Sequence, residues 1–137
     1  MSPWLTPSPV YMTSPSPLRG DIYWVRILPA HTVGSEQYKR RPWAIVSTST
    51  IIQLGMVVAV PLSQQVQQQN RQFRILVPNT EIVYDTGTTL MPGDRIALTH
   101  QVRALSIQRL ELPRVGRLTN NALYAVEAGL AFVLEIP

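Results

Sequence analysis

The chain has no cysteine, two histidines, eight acidic residues against twelve Lys and Arg, and no apolar run near the ~20 residues that span a bilayer. Lack of cysteine removes thiol catalysis, thiolate metal sites and disulfides together. Lack of a long apolar run argues against an integral membrane protein. The first residues also lack the basic and apolar segments of a secretory leader, so a cytoplasmic protein is expected. The shortage of acids leaves a formal charge of +4 and a pI near 10.0. Between Ala30 and Leu76, Lys39, Arg40, Arg41, Arg71 and Arg74 face one acid, Glu36, a one-sided balance that favours nucleic acid or phosphate as partner.

Proline, by contrast, is abundant. Five of the twelve prolines lie within residues 1–18, separated mainly by Ser and Thr. Proline removes backbone donors and biases the preceding residue away from helix, so 1–18 reads as an extended, disordered tail. Residues 19–137 read as one domain, large enough to bury roughly two thirds of the surface of its unfolded chain.

Within that domain, DIYWVRIL (21–28) alternates Ile22, Trp24 and Arg26 against Tyr23, Val25 and Ile27, which is a strand pattern. PWAIVSTST (42–50) is a second strand, with its proline tolerated only at the start. GMVVAVPL (55–62) makes a third, RQFRILV (71–77) a fourth and RIALTHQV (95–102) a fifth, with a short sixth at RVGRL (114–118). SQQVQQQN (63–70) and residues 79–94 read as loops, and SIQRL as one helical turn. After Thr119, a candidate N-cap, Leu123, Val126, Leu130, Val133 and Leu134 form the apolar stripe of a C-terminal helix. Gly129 costs about 1 kcal/mol in such a helix and so predicts close packing. Trp43, just inside its strand, is expected in the core. The fold class is therefore mainly β, an antiparallel barrel closed by a C-terminal helix.

The sequence has no Gly-rich phosphate loop, HExxH or GxSxG pattern, and its histidines, His31 and His100, are far apart. No metal or other cofactor is expected. What remains is Glu36, Arg41, Ser63 and His100, all at strand ends or in the adjoining loops, where an antiparallel barrel gathers residues on one rim.

RGDIYWV (19–25), GSEQYKRRPWAIVS (34–47), VVAVPLS (57–63), IALTHQVRALSIQRL (96–110) and VGRLT (115–119) together resemble the MazF/PemK toxin family in order and approximate spacing. The resemblance spans residues 19 to about 134. It implies an SH3-like β-barrel homodimer, acting as a sequence-specific, metal-independent endoribonuclease on single-stranded mRNA and restrained by a cognate antitoxin protein. It assigns catalysis to the arginine before the motif proline and to a Thr or Ser after the later Val-Pro, here Arg41 and Ser63. Glu36 then either accepts the 2′-hydroxyl proton or orients Arg41. Gln37, Lys39, Arg40, Gln64 and Arg71 are the neighbouring candidates for RNA contact.

Two departures qualify the match. Many members read Asp-Gln where this chain has His100-Gln101, and the His, Arg and Asp set of one subgroup falls here on Ser35, Leu98 and His100, so that subgroup's mechanism does not transfer. His100 is left as a base or acid in place of the acid, or as an RNA contact. The loop before Gly34 is also longer than is usual. Two other functions stay open: a non-catalytic RNA-binding module, and a gyrase-poison-like toxin, although such toxins act through a Trp-Gly-Ile type ending and this chain ends VLEIP.

Overall fold

The computed structural model describes residues 16–27, 40–70 and 72–137. Glu36, Gln37, Lys39, Arg71 and most of the proline-rich segment lie outside them. Eight strands form one antiparallel sheet: β1 (Asp21–Val25), β2 (Arg41–Ile45), β3 (Met56–Ser63), β4 (Arg74–Val77), β5 (Ile82–Tyr84), β6 (Arg95–Leu98), β7 (Arg103–Ser106) and β8 (Glu111–Leu118). The spatial order is β4-β6-β3-β2-β1-β8-β5, and β7 also pairs with β3. Among the described residues, two α-helices, α1 (Ser49–Gln53) and α2 (Asn120–Leu134), accompany the sheet. This is the mainly β class with a C-terminal helix that the sequence predicts.

The alternation in β1 sorts into two cores because both faces of the curled sheet are covered. Ile22, Ala44, Val60, Leu62, Ile75, Val77 and Ala97 pack with Leu123 and Val126 of α2. Tyr23, Val25, Ile27, Trp43, Ile45, Val57 and Ala59 pack with Ile52 of α1. Trp43 is thus a core residue, as expected.

The structure departs from the sequence pattern in four places. The strand expected through Thr50 ends at Ile45: Ser47 Oγ accepts the Val58 N–H at 3.0 Å, substituting for the ladder, and α1 begins two residues later. The strand expected over 95–102 is broken by a 3₁₀ turn at Thr99–Gln101, where the Thr99 hydroxyl and N–H both bond to the Phe73 carbonyl. The two pieces, β6 and β7, then pair with opposite ends of β3. The loop expected over 79–94 contains β5, and β8 extends back to Glu111. Gly116 permits the β5–β8 pairing, since a Cβ there would stand 2.2 Å from the Val83 carbonyl oxygen.

The helix behaves largely as its pattern predicts. Thr119 Oγ1 accepts the Ala122 N–H at 3.3 Å, which is the expected cap. A Cβ on Gly129 would lie 2.9 Å from Ile75 Cγ1 and from Thr99 Cγ2, so the glycine does mark a close contact. The stripe ends early, however: Leu134, the last helical residue before a left-handed Glu135, is 57% exposed.

Candidate active site

Arg41 opens β2, opposite Val25 of β1, and Pro42 fixes the backbone immediately after it. Trp43 pairs with Pro61 of β3, so the start of β2, with Arg41, and the end of β3, with Ser63, lie at the same end of the sheet. Ser63 closes β3 and pairs with Ile96 of β6. A guanidinium and a hydroxyl distant in sequence are thus brought to one end of adjacent strands.

Each is chemically available. Arg41 Nε is buried and has no hydrogen-bond partner among the described residues. Burial pushes its guanidinium below the usual arginine range, yet an arginine so placed keeps its charge at neutral pH. Ser63 is buried, and its Oγ accepts the Gln65 N–H at 3.2 Å. A hydroxyl used as acceptor still has its own hydrogen to donate, so the loop contact orients Ser63 without occupying its donor.

A third group was not singled out by the sequence. Arg95 opens β6, directly before the residue that pairs with Ser63, and is only 4% exposed. Its Nη1 makes one long contact, 3.5 Å, to the carbonyl of Leu62, while its Nε has no partner among the described residues. Burial lowers its pKa, the neighbouring Tyr84 raises it and Arg41 lowers it further. An arginine at a strand start in a basic sequence reads as a solvated surface charge. Only the pairing of β6 between β3 and β4 buries it.

The other candidates disperse. Arg40 donates to Glu111 Oε1 at 2.9 Å and lies 4.4 Å above the Trp24 ring, both on its own protein. That exposed ion pair is worth at most about 1 kcal/mol, so a phosphate can compete for the guanidinium. Gln64 is exposed just beyond Ser63. His100 lies past Leu98, at the opposite end of β6 from Arg95. Its ring meets Phe73 edge-on at 5.1 Å, and Phe73 stacks with Phe132 of α2 at 6.4 Å. Burial, then Arg74, lowers the His100 pKa and favours its neutral form. Glu36, Gln37, Lys39 and Arg71 fall outside the described residues. Among those residues, no three His, Asp or Glu gather as a metal-ligand set.

Fold and site together define a small basic protein whose curled antiparallel sheet carries a guanidinium and a hydroxyl at one end of adjacent strands. Known structures share this architecture. MazF from Deinococcus radiodurans (form I) superposes with a TM-score of 0.69 at 18% identity, covering 90% of this chain and 100% of its own. An endoribonuclease from a mycobacterial species gives 0.60 at 21% identity over 91% and 97% of the two chains. The toxin MazF-mt6 of Mycobacterium tuberculosis gives 0.62 at 13% identity over 85% and 98%. No curated protein matches the chain. The model of the PemK-like, MazF-like toxins of type II toxin–antitoxin systems matches residues 18–134, and the chain belongs to that family.

Proposed function

We propose that this toxin is a sequence-specific, metal-independent endoribonuclease that cleaves single-stranded mRNA between Arg41 and Ser63. It acts in the cytoplasm as a homodimer and is held inactive by a cognate antitoxin. The observation that carries the reading is the buried Arg41 Nε, without a partner among the described residues, at the same end of the sheet as Ser63, in a chain of this family. Similar structures of MazE with MazF from Deinococcus radiodurans, and of a mycobacterial endoribonuclease with its cognate antitoxin, support the proposed partner.

RNA supplies its own nucleophile. The 2′-oxygen bonds to the adjacent phosphorus as its proton passes to a base. The bond from phosphorus to the 5′-oxygen then breaks, and that oxygen takes a proton from solvent. The products are a 2′,3′-cyclic phosphate and a 5′-hydroxyl. The intervening phosphorane carries extra negative charge, and preorganised donors aimed at such charge are each worth about 3 kcal/mol. Arg41 supplies a planar cationic fork for the phosphate oxygens, and Ser63 adds one hydroxyl donor. A permanently charged guanidinium is a poor proton carrier, so Arg41 stabilises charge and leaves proton transfer to others. Glu36, upstream on the same segment, is the carboxylate offered for the 2′-hydroxyl proton. His100, beside Phe73 and Phe132, contacts RNA by stacking.

The test is incubation of purified protein with mixed-sequence RNA in EDTA, followed by mapping of the product ends. Cleavage leaving 5′-hydroxyl ends is expected, reduced about a hundredfold or more by Arg41→Ala, with Ser63→Ala losing cleavage while keeping RNA affinity. RNA binding without products under all conditions would leave only the non-catalytic RNA-binding alternative. Gyrase inhibition without RNA cleavage would favour the gyrase-poison reading.

A further inference from the structure

We propose that Arg95 is a second phosphate-binding guanidinium of this site, taking an RNA backbone phosphate together with the Tyr84 hydroxyl, beside the phosphate held by Arg41 and Ser63. The inference rests on the ribonuclease reading only for the source of the phosphate.

Its first support is an uncompensated charge. Removing a cation from water costs several kcal/mol unless a counter-charge and hydrogen bonds replace the solvent. Arg95 is 96% buried by complement of its 4% exposure, yet it forms no ion pair among the described residues. Its neighbour Asp94 does not serve: Asp94 is exposed, and its Oδ1 accepts the Asn79 N–H at 2.8 Å. The contact of Nη1 with the Leu62 carbonyl is at the outer limit of a hydrogen bond.

The second support is a matching neutral group. The Tyr84 hydroxyl is also buried and without a partner among the described residues. Tyr84 is the last residue of β5 and pairs with Gly116, where lack of a side chain lets β5 close onto β8. Arg95 directly precedes Ile96, which pairs with Ser63, so it stands at the Ser63 end of the sheet, and both Tyr84 and Arg41 act on its guanidinium electrostatically. A guanidinium whose Nε has no partner among the described residues and a phenol likewise without one suit an anion with several oxygens. A phosphodiester has that chemistry, and Arg binds it through paired N–H donors.

The third support is rigidity. Asn79 closes the base of the loop before β6, its Nδ2 donating to the carbonyls of Met91 and Gly93, both at 2.7 Å. Arg95 follows directly and is gripped by pairing of β6 with β3 on one side and β4 on the other. Such a residue is held in place before the ligand arrives, as an anion-binding group must be.

The experiment uses the full chain and inorganic phosphate, followed through the ¹⁵N–¹H signals of the arginine Nε groups. The Arg95 signal should shift as phosphate is added, and the Arg41 signal should shift as its own neighbouring site fills. Arg95→Met and Tyr84→Phe should each weaken phosphate, Arg95→Met by about tenfold, the loss of one charge-assisted hydrogen bond. Should Arg95→Met fail to fold, Arg95→Lys and Tyr84→Phe carry the test. With 2′-O-methylated RNA, Arg95→Met should lower the slope of log affinity against log salt by about 0.7. An Arg95 signal that ignores phosphate, or variants that bind phosphate and RNA as the parent does, would overturn the proposal. Cleavage by the parent alongside that result would leave the ribonuclease reading intact. Phosphate binding at Arg95 without cleavage of any RNA would do the reverse.

Discussion

Replacing Arg114 with methionine should cost the domain about 3 kcal/mol at neutral pH and much less in acid. Arg114 grips Asp85 with two donors, Nε and Nη2, both at 2.8 Å, and reaches Asp21 Oδ1 through Nη1 at 3.1 Å. The two carboxylates differ in kind. The Asp85 side chain is 33% exposed, so its share of the loss is at most about 1 kcal/mol. Asp21 is 1% exposed, and without Arg114 its only remaining donor among the described residues is the Leu18 N–H at 2.9 Å. Breaking a buried pair from the cationic side costs about 3–5 kcal/mol, and the residual donor places this case at the lower end. The pH dependence follows from the proton inventory. Burial already holds the Asp21 pKa above its ordinary value even with Arg114 present, whereas Arg114 holds that of Asp85 below. In the parent, stability therefore falls as pH rises through the window above the unfolded Asp pKa, on account of Asp21. Asp85 contributes in the opposite sense, its share being lost as pH falls through its depressed folded pKa. Arg114→Met raises both folded pKa values, so the native variant binds more protons near pH 5 and the deficit relative to the parent shrinks as pH falls. Urea unfolding at pH 7 and pH 4 measures it. A deficit under 1 kcal/mol at pH 7, or one equally large at pH 4, would refute the reasoning. So would failure of Asp21→Asn to restore stability in the Arg114→Met background.

Three further outcomes can be checked with the same tools. Gly116→Ala should destabilise by about 3 kcal/mol or more in urea, because its methyl would meet the backbone of β5, which cannot yield without losing the strand. Gly129→Ala should lose roughly 1 kcal/mol: overpacking against Ile75 and Thr99 costs about 2 kcal/mol, and improved helix propensity recovers about 1 kcal/mol. His100→Ala should weaken RNA binding by about 1 kcal/mol, as loss of one stacking partner does, while leaving single-turnover cleavage unchanged at saturating RNA. A loss confined to the cleavage step would instead make His100 part of the chemistry.

Much of the architecture was legible because it rests on local patterning. Period-2 alternation located β1 and β4, apolar stretches located β3, β6 and most of β2, and the helical stripe with Thr119 before it located α2. The failures share a cause. Ser47 and Thr99 end strands through side-chain bonds to Val58 and Phe73, partners remote in sequence. β5 has only three residues among turn formers, and it exists because Gly116, far along the chain, leaves room for it. Arg41 and Ser63 were proposed from the residues around them, but that they lie at one end of adjacent strands is a matter of register.

The sequence by itself determined that this chain builds an antiparallel sheet with a C-terminal helix, carries a basic segment before a proline-led strand, and falls in the PemK/MazF-like toxin family. Those properties live in periodicity, composition and short motifs, which survive in one dimension. The tertiary structure alone decided that Arg95 is buried and Arg40 tied to Glu111, and that His100 joins Phe73 rather than the Arg41 end of the sheet. Identical side chains differ in burial and partners only after folding, since desolvation and pairing depend on neighbours that the chain brings together across many residues.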